Sequence, residues 1–417
     1  MAGLVASLNP SNDGASEKNP VNNEHPTGRF SFKFATAGHI TRIIKELKNT
    51  RAESVDNIPT DAWKKGVVFL ACPIIRLCKI TLSTGVFPDL FKQALVYPVH
   101  KGSGKDHREP GSYCPISTLP ALSKILEIVV RDALYQYLDL RRVLPDSPVM
   151  TEDPCHVVTP FIVYFSSVFH YRLVQVGMFT LHVTLTYLYY IELCMLYHPG
   201  RSVAMALACA QADWAVAKAL ACAQADWAVA KARGKVVGVM AFDLSTAFDT
   251  IDVVPLIEKL KSAGVGGTPL KWLESYMTGR SQLVIWNGMR SLSRPLSHGV
   301  AQGSILGPLL FLVMVADIPK YVTSGAPKAK MMCYAEDSTL YHSAESKELL
   351  KSDLELMSKK IFRYCNDNGL VINSAKTKLL LSSKVNFDMF VGDSIVSADP
   401  EISLTGINYN INFSTSP

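Results

Sequence analysis

Three acidic residues stand where the chain would bring strand ends together. Asp243 closes the β-branched run Val236 to Phe242, and Glu336 and Asp337 lie between two apolar stretches, Lys330 to Tyr334 and Ser338 to Tyr341, that read as a hairpin. Carboxylates gathered from two strand ends supply the hard oxygen ligands that two Mg²⁺ ions demand, and such a pair of ions suits in-line attack on a phosphorus centre. An acidic pair at a hairpin tip is, taken alone, an ordinary solvated turn. A basic, glycine-rich turn adds to the signal: Lys101-Gly-Ser-Gly-Lys105 follows the short strand Val96 to Val99.

Positioning these groups requires a sheet with helical cover, and the pattern supplies one. Val236 to Phe242 is a buried strand, Ile257 to Ala263 and Leu270 to Met277 are helices, and Gln282 to Trp286 is a strand. Ile305 to Val315 and Ser346 to Asn366 are further helices, the second amphipathic, and Leu370 to Asn373 with Thr377 to Leu381 reads as a closing hairpin. Upstream, Ile40, Ile43, Ile44 and Leu47 recur at helical spacing between Ala37 and Asn49, Ile74 to Ile80 continues a second apolar helix, and Leu122 to Leu138 forms a third, amphipathic one.

Composition bounds the function. The 417 residues are 48% hydrophobic and 19% charged, which excludes disordered and collagenous classes. The net charge of +6 is concentrated near the start: sixteen Lys or Arg against eight Asp or Glu lie between Arg29 and Arg131. Nine cysteines without a C-x-x-C spacing give neither a disulfide framework nor a zinc site, and the polar first thirty residues lack a secretory signal. An intracellular protein, cytoplasmic and nuclear, is expected. Residues 1–28 read as a disordered leader.

Two segments interrupt this pattern. Residues 148–197 read as an apolar insertion, almost continuously apolar and aromatic from Val157 to Tyr197, and Leu173 to Ile191 is a nineteen-residue span without a charge, near the length that crosses a bilayer. Gln175, His182 and several threonines break its hydropathy, so a non-native insertion is the preferred reading over a membrane span, and no membrane partner is expected. Immediately downstream, ALACAQADWAVAK occurs twice, as Ala206 to Lys218 and Ala219 to Lys231, within an Ala-rich helical region spanning 198–234. Two copies are too few for a solenoid.

Four runs in order carry a resemblance. Ala241-Phe-Asp-Leu-Ser-Thr-Ala-Phe-Asp-Thr-Ile-Asp252, Gly299-Val-Ala-Gln-Gly-Ser-Ile-Leu-Gly-Pro-Leu-Leu-Phe311, Cys333-Tyr-Ala-Glu-Asp-Ser-Thr-Leu-Tyr341 and Asn368-Gly-Leu-Val-Ile-Asn-Ser-Ala-Lys-Thr-Lys378 resemble motifs A to D of the reverse transcriptase of non-LTR (LINE-type, jockey-like) retrotransposons. Tyr97-Pro-Val-His-Lys-Gly102 and Ser112-Tyr-Cys-Pro-Ile-Ser117 resemble its fingers motifs, and Leu404-Thr-Gly-Ile407 the start of its primer grip.

The resemblance implies an α+β, right-hand polymerase fold with an N-terminal and fingers region in 29–147, palm in 235–384, a truncated primer-grip-like segment in 385–417, a thumb largely missing and no endonuclease domain upstream. It implies RNA-directed DNA synthesis on an RNA template and DNA primer from deoxynucleoside triphosphates. Asp243, Glu336 and Asp337 would hold two Mg²⁺ ions, with Mn²⁺ as an alternative. Lys376 would act beside the pyrophosphate as a general acid, Lys101 would contact the triphosphate, Phe248 would be the steric gate, and Gln302 and Gly303 would line the nucleotide and template pocket.

The chain departs from the family at three of these positions. Glu336 stands where an aspartate is usual, Cys114 where an arginine is usual, and Ala301 where a proline is usual. The sequence therefore leaves open an active polymerase, a catalytically dead fragment retaining nucleic-acid binding, and a membrane-anchored protein using 173–191.

Overall fold

The computed structural model describes residues 29–47, 54–102, 104–144, 219–245, 249–326, 328–334, 337–382, 385–404 and 407–413. The expected leader, the apolar segment 148–197 and the first repeat copy lie outside these residues, as do Glu336 and Phe248.

The N-terminal part begins with helices α1 (Ala37–Glu46), α2 (Thr60–Lys65) and α3 (Val67–Thr84). Thr36 caps α1 by accepting a hydrogen bond from the His39 N–H. Ile40, Ile43 and Ile44 of α1 are buried, as are Ala71, Ile74 and Cys78 of α3. Helix α3 is long and apolar enough to cross a bilayer, yet it lays this buried stripe against the core. Strands β1 (Gln93–His100) and β2 (Tyr113–Thr118) and helix α4 (Ala121–Leu140) follow.

After a helix at residues 219–232 (α5) come β3 (Val236–Ser245), α6 (Val253–Ser262), α7 (Gly267–Met277), β4 (Arg280–Trp286), β5 (Met289–Arg290) and β6 (Arg294–Leu296). The chain continues through α8 (Gly307–Val315), α9 (Ile318–Thr323), β7 (Lys330–Tyr334), β8 (Asp337–Ala344), α10 (Lys347–Asp367), β9 (Val371–Ile372) and β10 (Lys378–Leu381). Two hairpins close the described chain, β11 (Met389–Val391) with β12 (Ser394–Val396), and β13 (Glu401–Leu404) with β14 (Ile407–Asn410).

These strands build two main sheets. The first has the order β2-β1-β4-β5 with β6 added to β4, and its β1–β4 pair is parallel. The second is antiparallel, ordered β10-β3-β8-β7, with β9 added to β3. Both faces of β3 are covered, which is why its sequence is a continuous apolar run. Met240, Phe242 and Leu244 point into the main core with α10, whose Leu350, Leu354, Met357 and Ile361 form its apolar stripe. Val237 and Val239 point the other way, against Leu220 and Trp227 of α5 and Tyr409 near the end of the described chain.

The expected hairpin of Leu370–Asn373 and Thr377–Leu381 does not form. Strands β9 and β10 instead both pair antiparallel to β3, Ile372 opposite Leu244 and Lys378 opposite Ala241. Local pattern shows two short apolar runs flanking a turn; it does not show a distant strand whose unpaired backbone offers both of them better partners.

Helix α5 is the second copy of the repeat, and it is tied to the second sheet by more than apolar contact. Asp226 accepts hydrogen bonds from Lys330 Nζ at 2.6 Å and Tyr341 Oη at 2.8 Å. Burial raises its carboxyl, but these two hydrogen bonds and the Lys330 charge win and hold it below the ordinary 3.8. A carboxyl with a depressed folded-state pKa stabilises above its unfolded pKa, and that contribution disappears as pH falls through the folded value. Asp226→Asn is therefore expected to lower the urea midpoint at neutral pH, with the gap to the parent chain closing below pH ~4. A pH-independent gap would show that packing, not charge, is what Asp226 contributes.

Candidate active site

Asp243 is near the C-terminal end of β3, and strand alternation puts its side chain on the face of Val237, Val239 and Ala241. Its side chain keeps 15% exposure. Directly across the ladder stands Asp337, the first residue of β8. Asp337 belongs to the strand and not to the turn, pairing with Tyr334 on one side and Asp243 on the other. Two carboxylates on facing residues repel, so the pair calls for a cation.

Lys376 supplies one. Between β9 and β10 the chain leaves the edge of β3 for residues 373–377, opposite Phe242 and Asp243, and this excursion contains a single 3₁₀ turn, Ser374–Lys376. The Asn373 N–H donates to the Asp243 carbonyl at 2.9 Å, fixing the start of the excursion. The Lys376 ammonium then donates to both carboxylate oxygens of Asp243, each at 3.1 Å.

The other expected site residues form a second group. Gln302 and Gly303 run across β2: the Ser117 N–H donates to the Gln302 carbonyl at 2.8 Å, and Gln302 Nε2 reaches Cys114 Sγ at 3.5 Å. Gly303 has φ +111°, and a Cβ there would stand 2.5 Å from the Ser117 carbonyl oxygen. Only glycine allows that approach. Lys101 lies at the end of the β1–β2 hairpin, its ammonium donating to the Gly111 carbonyl at 3.0 Å. It directly follows β1 of the first sheet, whose β2 carries Cys114, and not the carboxylate ladder of the second.

The loop Gly299 to Leu306 joins the two groups. Gly299 donates to the Ile251 carbonyl at 2.8 Å and has φ +83°, where a Cβ would meet the Asp249 carbonyl oxygen at 2.6 Å. A cavity of 140 Å³ lies beside it, lined among others by Ser117, Asp249, Gln282, His298 and Gln302. Gly299→Ala combines a left-handed backbone with backbone overlap and is expected to cost ~3 kcal/mol, read as a lowered denaturation midpoint. A loss below ~1 kcal/mol would mean that the loop is free to move away from Asp249.

Glu127 has no assigned role in the sequence reading, although it belongs to this region. It is fully buried in α4 and binds the start of α8. Its signal was an acid and a serine four residues apart, Ser123 and Glu127, inside an otherwise apolar helical run.

A family model described as reverse transcriptase (RNA-dependent DNA polymerase) matches residues 195–408, just over half of the chain. The chain belongs to the reverse transcriptase family. Similar proteins include the probable RNA-directed DNA polymerase from transposon BS of Drosophila melanogaster, 25% identical over 81% of this chain and 31% of that protein. The RNA-directed DNA polymerase from mobile element jockey of the same organism is 25% identical over 71% of this chain and 26% of its own length. The chain thus spans under a third of the relatives it matches. Among solved structures, apo telomerase from Candida tropicalis, truncated from its C-terminal domain, aligns with a TM-score of 0.42 at 14% identity, over 88% of this chain and 63% of that one. The chain is a reverse transcriptase domain of the non-LTR, jockey-like kind, with a mixed α+β architecture, as its motifs imply.

Proposed function

We propose that this reverse transcriptase domain is built for RNA-templated DNA synthesis, with the second sheet as palm and the first sheet, together with α1 to α4, as fingers. The observation that carries the reading is the facing pair Asp243 and Asp337 with the Lys376 ammonium on Asp243.

The donor set fits a hard divalent cation. Asp243 and Asp337 offer carboxylate oxygens only, and Lys376 already holds positive charge against one of them. Among the described residues no group of three or more ligating side chains is present, and Glu336, the third expected ligand, lies outside them. Mg²⁺, or Mn²⁺ in its place, would neutralise charge developing on a phosphoryl group. Asp243, Glu336 and Asp337 would hold it. Lys376, 64% exposed, is free to turn from Asp243 toward a leaving pyrophosphate and give it a proton. Gln302 and Gly303 would line the nucleotide and template pocket, Lys101 would meet the triphosphate, and Phe248 would act as the sugar gate. The basic fingers surface suits template phosphates.

A second reading has a specific observation behind it. Where the family has an arginine, Cys114 places only a thiol against Gln302, with neither charge nor a fork of donors for a triphosphate. This reading is a polymerase-derived domain that keeps nucleic-acid binding without synthesis.

Primer extension on an RNA template with Mg²⁺ tests both. Extension by the parent chain that is lost in Asp243→Asn is the result expected of the polymerase. Equal extension by the two would overturn the assignment of Asp243, and no extension by either, with template–primer still bound, is the outcome of the second reading.

A further inference from the structure

Glu127 is a carboxylate with no exposure to water, in the middle of an apolar helix. Burying such a charge is costly unless it is fully hydrogen-bonded. Here both oxygens are used. Oε1 accepts from Ser123 Oγ at 2.7 Å. Oε2 accepts from Tyr276 Oη at 3.1 Å, from the Ile305 N–H at 2.7 Å and from the Leu306 N–H at 3.2 Å.

These donors come from three elements far apart in sequence. Ser123 shares α4 with Glu127, Tyr276 is in α7, and Ile305 and Leu306 precede the first turn of α8. The N-terminus of a helix presents unsatisfied N–H groups and a positive dipole end, both of which favour an anion. Helix α8 has a local partner for one of them, since the Gly307 N–H donates to Ser304 Oγ at 3.1 Å. The two preceding N–H groups depend on Glu127. Behind Tyr276, the Arg280 guanidinium lies 4.8 Å over its ring, and its Nη1 donates to the Tyr276 carbonyl. A buried positive charge therefore backs the phenol that donates to Glu127.

The segment held this way is the end of the loop Gly299 to Leu306. Three residues before Ile305, Gln302 walls the cavity and touches Cys114. We propose that Glu127 is a positioning residue: by holding the Ile305 and Leu306 N–H groups it fixes where the Gln302–Gly303 segment lies against β2, and so sets the shape of the pocket in which the proposed function places an incoming nucleotide. The proposal rests on that reading for the word nucleotide, but not for the positioning itself.

Peptide-resolved alkylation tests the two parts separately. Glu127→Met keeps the length of the side chain and offers only a weak, uncharged thioether acceptor, whereas Glu127→Gln retains one accepting oxygen. With charge-assisted hydrogen bonds removed, alkylation of Cys114 by iodoacetamide is expected to speed on the order of tenfold in Glu127→Met and less in Glu127→Gln, as Gln302 leaves the thiol. Cys78, Cys333 and Cys365, buried in the core, are expected to stay protected. Unchanged Cys114 labelling in Glu127→Met, or labelling that rises equally at the three core cysteines, overturns the proposal. Deoxynucleoside triphosphate affinity, measured on the same proteins, is expected to fall in parallel with Cys114 exposure. If the parent chain binds none while Cys114 responds as expected, the nucleotide reading fails and the positioning role stands.

Discussion

Glu336→Asp is expected to raise RNA-templated extension by about two orders of magnitude over the parent chain. Asp337, the next residue in the chain, is fixed by ladder pairs on both sides, Tyr334 and Asp243. Glutamate keeps the charge but carries its carboxylate ~1.5 Å further out than aspartate, and ~1 Å of misplacement in a reacting group costs on the order of a hundredfold. The gain must depend on the opposite strand: the Asp243→Asn, Glu336→Asp double variant is expected to be as inactive as Asp243→Asn alone. Cys114→Arg should add a further gain at low nucleotide concentration, because a guanidinium grips a triphosphate where a thiol does not. No gain from Glu336→Asp with or without Cys114→Arg would show that these two positions are not what limits the chain. Extension by the double variant that carries Asp243→Asn would remove Asp243 from the chemistry.

The second large effect concerns stability. Trp227 in α5 is fully buried, and its ring meets Tyr341 of β8, Tyr409 of β14 and Phe413 at centroid distances of 5.7, 5.6 and 5.1 Å. Its indole Nε1 has no hydrogen-bond partner among the described residues, so the ring contributes through packing. Trp227→Ala is expected to destabilise the domain by about 3–5 kcal/mol in urea denaturation, as for other buried aromatics. Trp227→Phe should lose much less, since it keeps an aromatic face and sacrifices no hydrogen bond. The β13–β14 hairpin rests on this ring, and limited proteolysis should cut there first in Trp227→Ala. A loss below ~1 kcal/mol would show that α5 is an appendage and not part of the core.

Much of this architecture was legible in the sequence. The run Val236 to Phe242 is so continuously apolar because both faces of β3 are covered, and the acid that ends it is where the cover thins. The periodic stripe of α10 and the hairpin of β7 and β8 follow equally from local pattern. The placement of Lys376 did not. Its arrival at Asp243 depends on two short strands leaving and rejoining the same edge of β3, a pairing more than a hundred residues away along the chain. Strand β2 was hidden for a related reason, since Pro115 interrupts its pattern and is tolerated at the end of the sheet order. Glu127 was hidden because its meaning lies in three elements meeting at one point. In sequence it is one acid among hydrophobic neighbours.

The thirteen-residue repeat carries a consequence of its own. The contacts of α5 are made by Leu220, Ala223, Trp227 and Ala230, with Asp226 bonded to Lys330 and Tyr341, all from the second copy. Every one of those residue types recurs at the same place in the first copy. A slippage event during replication that deleted either set of thirteen codons would yield the same protein, one that still presents this leucine, aspartate and tryptophan to the sheet in the same register and at the same distance from β3. The duplication is thus reversible in one step at the level of the gene.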